Sequence, residues 1–322
     1  MATHTREAGP STDRTSPRNG TTPLASDRRR RWRYPTGLTP YLFLALPLAF
    51  LIVFTYIPVV NMFGYSFTIW NGLSPTKQFV GLDNYVELAT RPELFDVLVV
   101  SLYYVAASVV QIGLALYFAT VLSFKVKFKS VFKGILFFPY LINGVAIGMI
   151  FLYFFQPGGT LDETLRVLGL QGLTQQWLGD PDVINVSLAG TSVWRYLGLN
   201  FVLFLGAIQS IPGELYEAAE IDGANRWQQF RHLILPGIRP VVGLSFILAI
   251  SGSLAVFEIP FIMTGGANGS ETFVIQTVNM AFKFHKFGLA SAMAVVLLLI
   301  VLLITWIQRR IVPEEKVQVR LK

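Results

Sequence analysis

The sequence predicts an all-α integral membrane protein with six transmembrane helices and both termini in the cytoplasm. Three observations carry that prediction. First, the 322 residues are 53% hydrophobic and only 14% charged, whereas a soluble surface of this size draws on about a quarter charged residues. Second, no charge falls within 38–76, 97–124, 134–161 or 287–308, and uncharged apolar runs beyond about 18 residues have the length of a bilayer crossing. Third, the lysines and arginines concentrate in alternate connections. A soluble enzyme or nucleic-acid-binding domain is thereby excluded, despite a net charge of +7.

The amino-terminal stretch 1–36 is rich in Ser, Thr, Pro and Arg and has almost no large apolar residue before Trp32. Such a segment buries too little surface to offset its ordering entropy, so a disordered cytoplasmic tail is expected. Its basic run, Arg28 to Arg31 with Arg33, reads as a topology anchor on anionic membrane lipid in preference to a nucleic-acid contact. No Ala-x-Ala pattern follows the first apolar stretch, which argues against a cleaved signal peptide.

A transmembrane domain is expected over 37–310, with spans near 41–60, 98–122, 132–155, 184–210, 240–263 and 289–308. Arg195 interrupts the fourth, where its head is expected to snorkel to an interface. With the amino terminus inside, 20 of the 26 basic residues fall in cytoplasmic segments and 6 outside. That asymmetry sets both termini, including a carboxyl-terminal tail at 311–322, on the cytoplasmic face. The outer loops have room for short amphipathic helices, one suggested by Phe273, Val274, Val278, Ala281 and Phe282. Gly144 and Gly148 form a small-x-x-x-small pair that admits either close helix approach or ordinary packing.

Several chemistries are absent. The chain has no cysteine, its three histidines (His4, His232, His285) are scattered, and no glycine-rich run ends in Gly-Lys. No metal site, cofactor site or phosphate loop is therefore expected, and any ATP must be bound and hydrolysed by another subunit.

The densest pattern lies in a cytoplasmic loop at 210–239. Ser210 is placed to cap a helix running from about Pro212 to Ile221, with Glu214 and Glu217 near its positive end. Gly223 supplies a left-handed stop, and Pro236 is expected to end a second helix whose apolar face is Trp227, Phe230 and Ile234. Small residues on this knob admit a closely docked partner, and a hairpin packed only on its own spans fits the same shape.

Glu217-Ala218-Ala219, then Asp222-Gly223-Ala224, Phe230 and Leu233-x-Leu235-Pro236, resemble the EAA loop of permease subunits in binding-protein-dependent ATP-binding-cassette importers. Phe79 to Tyr85, Thr264-Gly265-Gly266 and Phe287 to Ala292 look like the outer-loop signatures of the carbohydrate-uptake, maltose-type members. The resemblance implies an ATPase-coupling loop made of Glu217, Ala218, Ala219, Asp222, Gly223, Ala224, Phe230, Leu235 and Pro236. It also implies a second homologous permease subunit, an ATP-binding-cassette ATPase dimer, an extracytoplasmic solute-binding protein and a carbohydrate substrate, with no nucleic acid and a plasma-membrane location.

Polar residues within spans are costly in lipid and tend to face a cavity. Glu258 is the only carboxylate in a predicted span, either accepting hydrogen bonds from sugar hydroxyls or pairing with Lys283 or Lys286. Gln111, Asn143 and Asn200, with Gln209, are further solute-path candidates that serve equally well as interhelical glue. An ion-coupled secondary transporter is the competing reading, against which stand the single glutamate and the lack of a convincing repeat.

Overall fold

The computed structural model describes residues 39–124 and 127–311. The expected tails, 1–36 and 311–322, lie outside the described residues, apart from the backbone of Ile311 at the end of the last helix.

The chain divides into two compact units after Val53. In the first, the helix Thr39–Leu51 is apolar throughout, with Pro47 inside it. Helices long and apolar enough to cross a membrane occupy Pro40–Ser66, Glu93–Ser123, Pro181–Gln209, Arg226–Thr264 and Phe287–Arg310. A sixth candidate is bent by 97° between Lys129–Leu141 and Gly144–Phe155, so the span expected at 132–155 is broken. Ile142 and Asn143 are extended at the bend, and the Asn143 Oδ1 accepts the Val145 N–H at 2.9 Å to cap the second half.

In the second unit, Leu98–Ser123 packs most extensively on Pro181–Gln209. Small residues on one helix, Ala115 and Ala119, let Phe201 and Phe204 of the other bury completely, and Ile234 and Ile238 close this core. A second core joins Tyr104, Phe155, Ile184, Leu188, Ile259 and Met263. Gly198 takes the Lys129–Leu141 helix so closely that a Cβ there would lie 2.8 Å from the Cα of Phe137.

The connections between the long helices hold short elements. A two-stranded hairpin pairs Thr68–Ile69 with Gln78–Phe79. Beside it Asn84, buried in the helix Asp83–Thr90, donates from Nδ2 to the Ser66 and Thr68 carbonyls at 2.8 and 3.0 Å. Gly288 opens the last helix against the same hairpin, its N–H on the Trp70 carbonyl at 3.2 Å and no room for a Cβ beside the Thr68 carbonyl. The expected amphipathic helix forms at Phe273–Val278 and runs into a π-helical turn at Asn279–Lys283. Phe273 and Ala281 are buried there, whereas Phe282 is exposed and leaves the expected apolar face.

Candidate functional site

Two regions hold the residues that the sequence singles out. The first is a cavity of about 470 Å³ walled by Leu98–Ser123, Pro181–Gln209 and Leu235–Leu254 and closed by Glu258. Gln111, Asn200 and Glu258 all line it, brought from three segments. Asn143 is not among its lining residues and spends its Oδ1 on the helix cap. Tyr104, Ser108, Ser192, Tyr196, Ser245 and Ser253, not foreseen from the sequence, also line it. Hydroxyls at i and i+8 on the fifth apolar stretch (Ser245, Ser253) were the available signal, because the two positions lie about 80° apart on a helix, within one broad face. Among the described residues the Tyr104 and Ser245 hydroxyls are buried with no partner.

Glu258 owes its position to a break in the helix. Leu235–Leu254 ends, Ala255 to Phe257 leave helical geometry, and Glu258 begins the helix Glu258–Thr264. Its Oε2 accepts from the Arg195 Nη1 at 2.6 Å. The expected partners are otherwise engaged: Lys286 pairs with Glu87 at 3.3 Å, and Lys283 lies over the Phe284 ring. Arg195, its head expected to snorkel, is engaged within the protein. Its side chain is 13% exposed, pointing at Glu258 and lying over the Tyr196 ring with 5.0 Å to the centroid. The approach depends on Gly144, whose hydrogen faces the pair: a Cβ there would overlap the Glu258 carboxyl and the Arg195 guanidinium. One helical turn on, Gly148 accommodates Ile262 in the same way, so this glycine pair seats the Glu258–Thr264 helix on Gly144–Phe155.

The second region is the loop after Gln209. Its first helix is Gly213–Ile221, with Pro212 at the N-cap. Ser210 does not cap it; its Oγ donates back to the Ala207 carbonyl of the preceding helix at 2.7 Å. Gly223 takes φ +76°, and the Ala224 N–H closes back on the Ala219 carbonyl at 2.9 Å, ending the helix in the left-handed manner expected. Asn225 then starts the helix Arg226–Gln229 through a reciprocal capping box with Gln228, legible as Asn-x-x-Gln but missed.

Pro236 does not end the second helix. The chain continues helical from Arg226 into Leu235–Leu254, with a π-helical turn at Phe230–Ile234. A proline supplies no N–H to the turn before it and crowds the carbonyl four residues back, and widening that turn accommodates both effects without a break. The expected apolar face also divides. Phe230 and Ile234 enter the core, while Trp227 remains 66% exposed, stacked on Phe230.

Glu217, Ala218, Asp222, Gly223, Leu235 and Pro236 are exposed, and Ala219, Ala224 and Phe230 are half-buried. A cleft of about 410 Å³ opens among Ala219, Asp222, Gly223, Ala224 and His232. The loop is anchored from behind by Tyr216, whose buried hydroxyl has its pKa pushed up by burial, and by the Arg226 guanidinium on the Phe124 ring.

The profile of the binding-protein-dependent transport system inner membrane component family matches residues 111–317. The chain belongs to that family. This permease is 36% identical over 279 residues to the probable ABC transporter permease protein YurN of Bacillus subtilis (strain 168), covering 85% of the chain and 95% of that relative. It is 33% identical over 269 residues to the multiple sugar-binding transport system permease protein MsmF of Streptococcus mutans, covering 83% and 92%. A solved bacterial alginate ABC transporter, in complex with an alginate pentasaccharide-bound periplasmic protein, shares its fold at a TM-score of 0.75 and 20% identity, over 85% of this chain and 95% of that one. The protein is thus a membrane-embedded permease component and not an enzyme, which removes the ion-coupled secondary transporter.

Proposed function

We propose that the permease forms, with a second related permease subunit, the path by which a sugar or sugar derivative crosses the plasma membrane. An extracytoplasmic binding protein delivers the solute, and an ATPase dimer docked on the 210–239 loop supplies the energy. The observation that carries the solute path is the cavity among membrane-length helices, where Gln111, Asn200 and Glu258 meet the hydroxyl-bearing residues Tyr104, Ser108, Ser192 and Ser245. Amides, hydroxyls and a carboxylate are the donor and acceptor set that a polyhydroxylated solute satisfies. A sugar is further supported by the similarity to MsmF, a permease of a multiple sugar-binding transport system. ATPase coupling is supported by the exposure of Glu217, Ala218, Asp222 and Gly223 beside a cleft, with Ile221 87% and Trp227 66% exposed as apolar contacts. The basic-residue partition supports both termini in the cytoplasm.

Glu258→Gln keeps the size of the side chain and an acceptor, and it is expected to change solute affinity or selectivity more than the amount of assembled complex. Unaltered transport per assembled complex would remove Glu258 from the path.

A further inference from the structure

We infer that Arg195 and Glu258 act as a charge-balanced pair that makes the cavity select uncharged solutes; this rests on the cavity being the solute path. Among the described residues lining the cavity, Glu258 is the only formally charged one. Left alone, a carboxylate in an otherwise neutral, mainly apolar chamber would attract cations and repel anions over its whole length, because field lines are poorly screened there. Arg195 stands behind it at 2.6 Å, itself outside the lining, and cancels that field.

Three features point to matched placement. Among the described residues Glu258 is the only carboxylate within ion-pair distance of Arg195. The Arg195 Nε is buried without a partner among the described residues, and the hydrogen bond the guanidinium makes is the one to Glu258. Gly144 leaves the space that both head groups occupy, and any larger residue would displace them. An ion pair taken out of water adds little to stability compared with an apolar pair of equal volume, so stability alone does not explain it. Cancelling the field while leaving Glu258, 41% exposed, as an acceptor for hydroxyl groups does. Arg195 is thus a specificity-determining residue that acts through Glu258.

The test reads the field directly and needs no identified solute. The chain has no cysteine. Gly252 lines the cavity, and a Cβ added there meets nothing within 4 Å. Gly252→Cys in the assembled importer is reacted with trimethylammonioethyl and sulfonatoethyl methanethiosulfonate, and modification of this chain is followed by mass spectrometry. The ratio of cationic to anionic rate is normalised to Val167→Cys, which is 81% exposed on an outer helix.

With the pair intact the normalised ratio is expected within about threefold of one. Arg195→Gln should raise it at least about tenfold, Glu258→Gln should lower it by a similar factor, and the double variant should return it to the starting range. A ratio already skewed tenfold with the pair intact, single variants that leave it unmoved, or a thiol that neither reagent reaches would each overturn the inference. Glucose, maltose and raffinose are tested in parallel for protection of the thiol. Protection by any of the three supports the solute-path reading on which the specificity rests, and protection without the charge pattern refutes the balanced pair.

Discussion

Gly198 offers a test of the packing that holds the cavity wall in place. It lies within Pro181–Gln209, and a Cβ built on it would strike the Leu136 carbonyl oxygen and approach the Phe137 Cα to 2.8 Å. The obstruction is backbone on both counts, so no rotamer change relieves it and the two helices must separate. Overpacking of this kind costs about 1–3 kcal/mol, and an immovable obstacle belongs at the upper end. Replacing a helical glycine by alanine returns up to about 1 kcal/mol, leaving Gly198→Ala destabilised by about 2 kcal/mol. The same helix contains its own controls: Gly190 and Gly206 have nothing within 4 Å of an added Cβ, so Gly190→Ala and Gly206→Ala should be neutral or gain up to about 1 kcal/mol. Thermal unfolding of the detergent-solubilised complex, followed by fluorescence-detected size exclusion, separates the two classes by the sign of the midpoint shift. If Gly198→Ala melts at or above the control midpoint, the close approach of Lys129–Leu141 is refuted.

Other expectations concern the ion pair, the loop and the topology. In a double-mutant cycle, Arg195→Met and Glu258→Gln should each destabilise, and together by less than their sum, with a coupling of about 1 kcal/mol given the partial exposure of Glu258; additive unfolding midpoints would show that the pair does not interact. Gly223→Asp forces a Cβ and a charge into a left-handed position, and Glu217→Arg reverses a charge at the exposed helix. Both variants should insert normally yet lose co-purification with the ATPase and solute-stimulated ATP hydrolysis, and normal recruitment and transport by both would sink the coupling assignment. Reporter fusions after Pro75 and after Lys129 should report outside and inside respectively, the opposite result inverting the topology.

Much of this architecture is legible in one dimension because lipid imposes it. Apolar run length marks the helices, and the left-handed turn at Gly223 follows from a glycine placed after an acidic, alanine-rich helix. Pro236 was misread because its effect depends on whether the preceding turn can widen, and Phe230 and Ile234, held in the core, stabilise that wider turn. The bend at Ile142–Asn143 hid inside a continuous apolar run, since an Asn-Gly step between two apolar stretches can sit within one span or divide it. The Arg195–Glu258 contact joins residues 63 apart in sequence. It depends on the rotation of one helix and the interruption of another at 255–257, neither of which periodicity reports. Of the cavity, the strongly polar members stood out by residue type, but the serines did not, because a hydroxyl in a membrane helix commonly satisfies itself on a carbonyl of the preceding turn, as Ser108, Ser192 and Ser253 do here.

The contact of Gly288 with the Thr68–Ile69 strand bears on how the protein is made. Asn84 satisfies the Ser66 and Thr68 carbonyls from within its own neighbourhood, so the first hairpin can order as soon as it emerges. The Trp70 carbonyl acquires the Gly288 N–H, and the Trp70 ring, already beside Tyr65 and Lys77, adds Phe287 at 5.5 Å, only when the helix from Phe287 is synthesised some 200 residues later. A nascent protein truncated before Phe287 therefore leaves the Trp70 carbonyl without the Gly288 N–H, an open seam between two segments far apart in the chain.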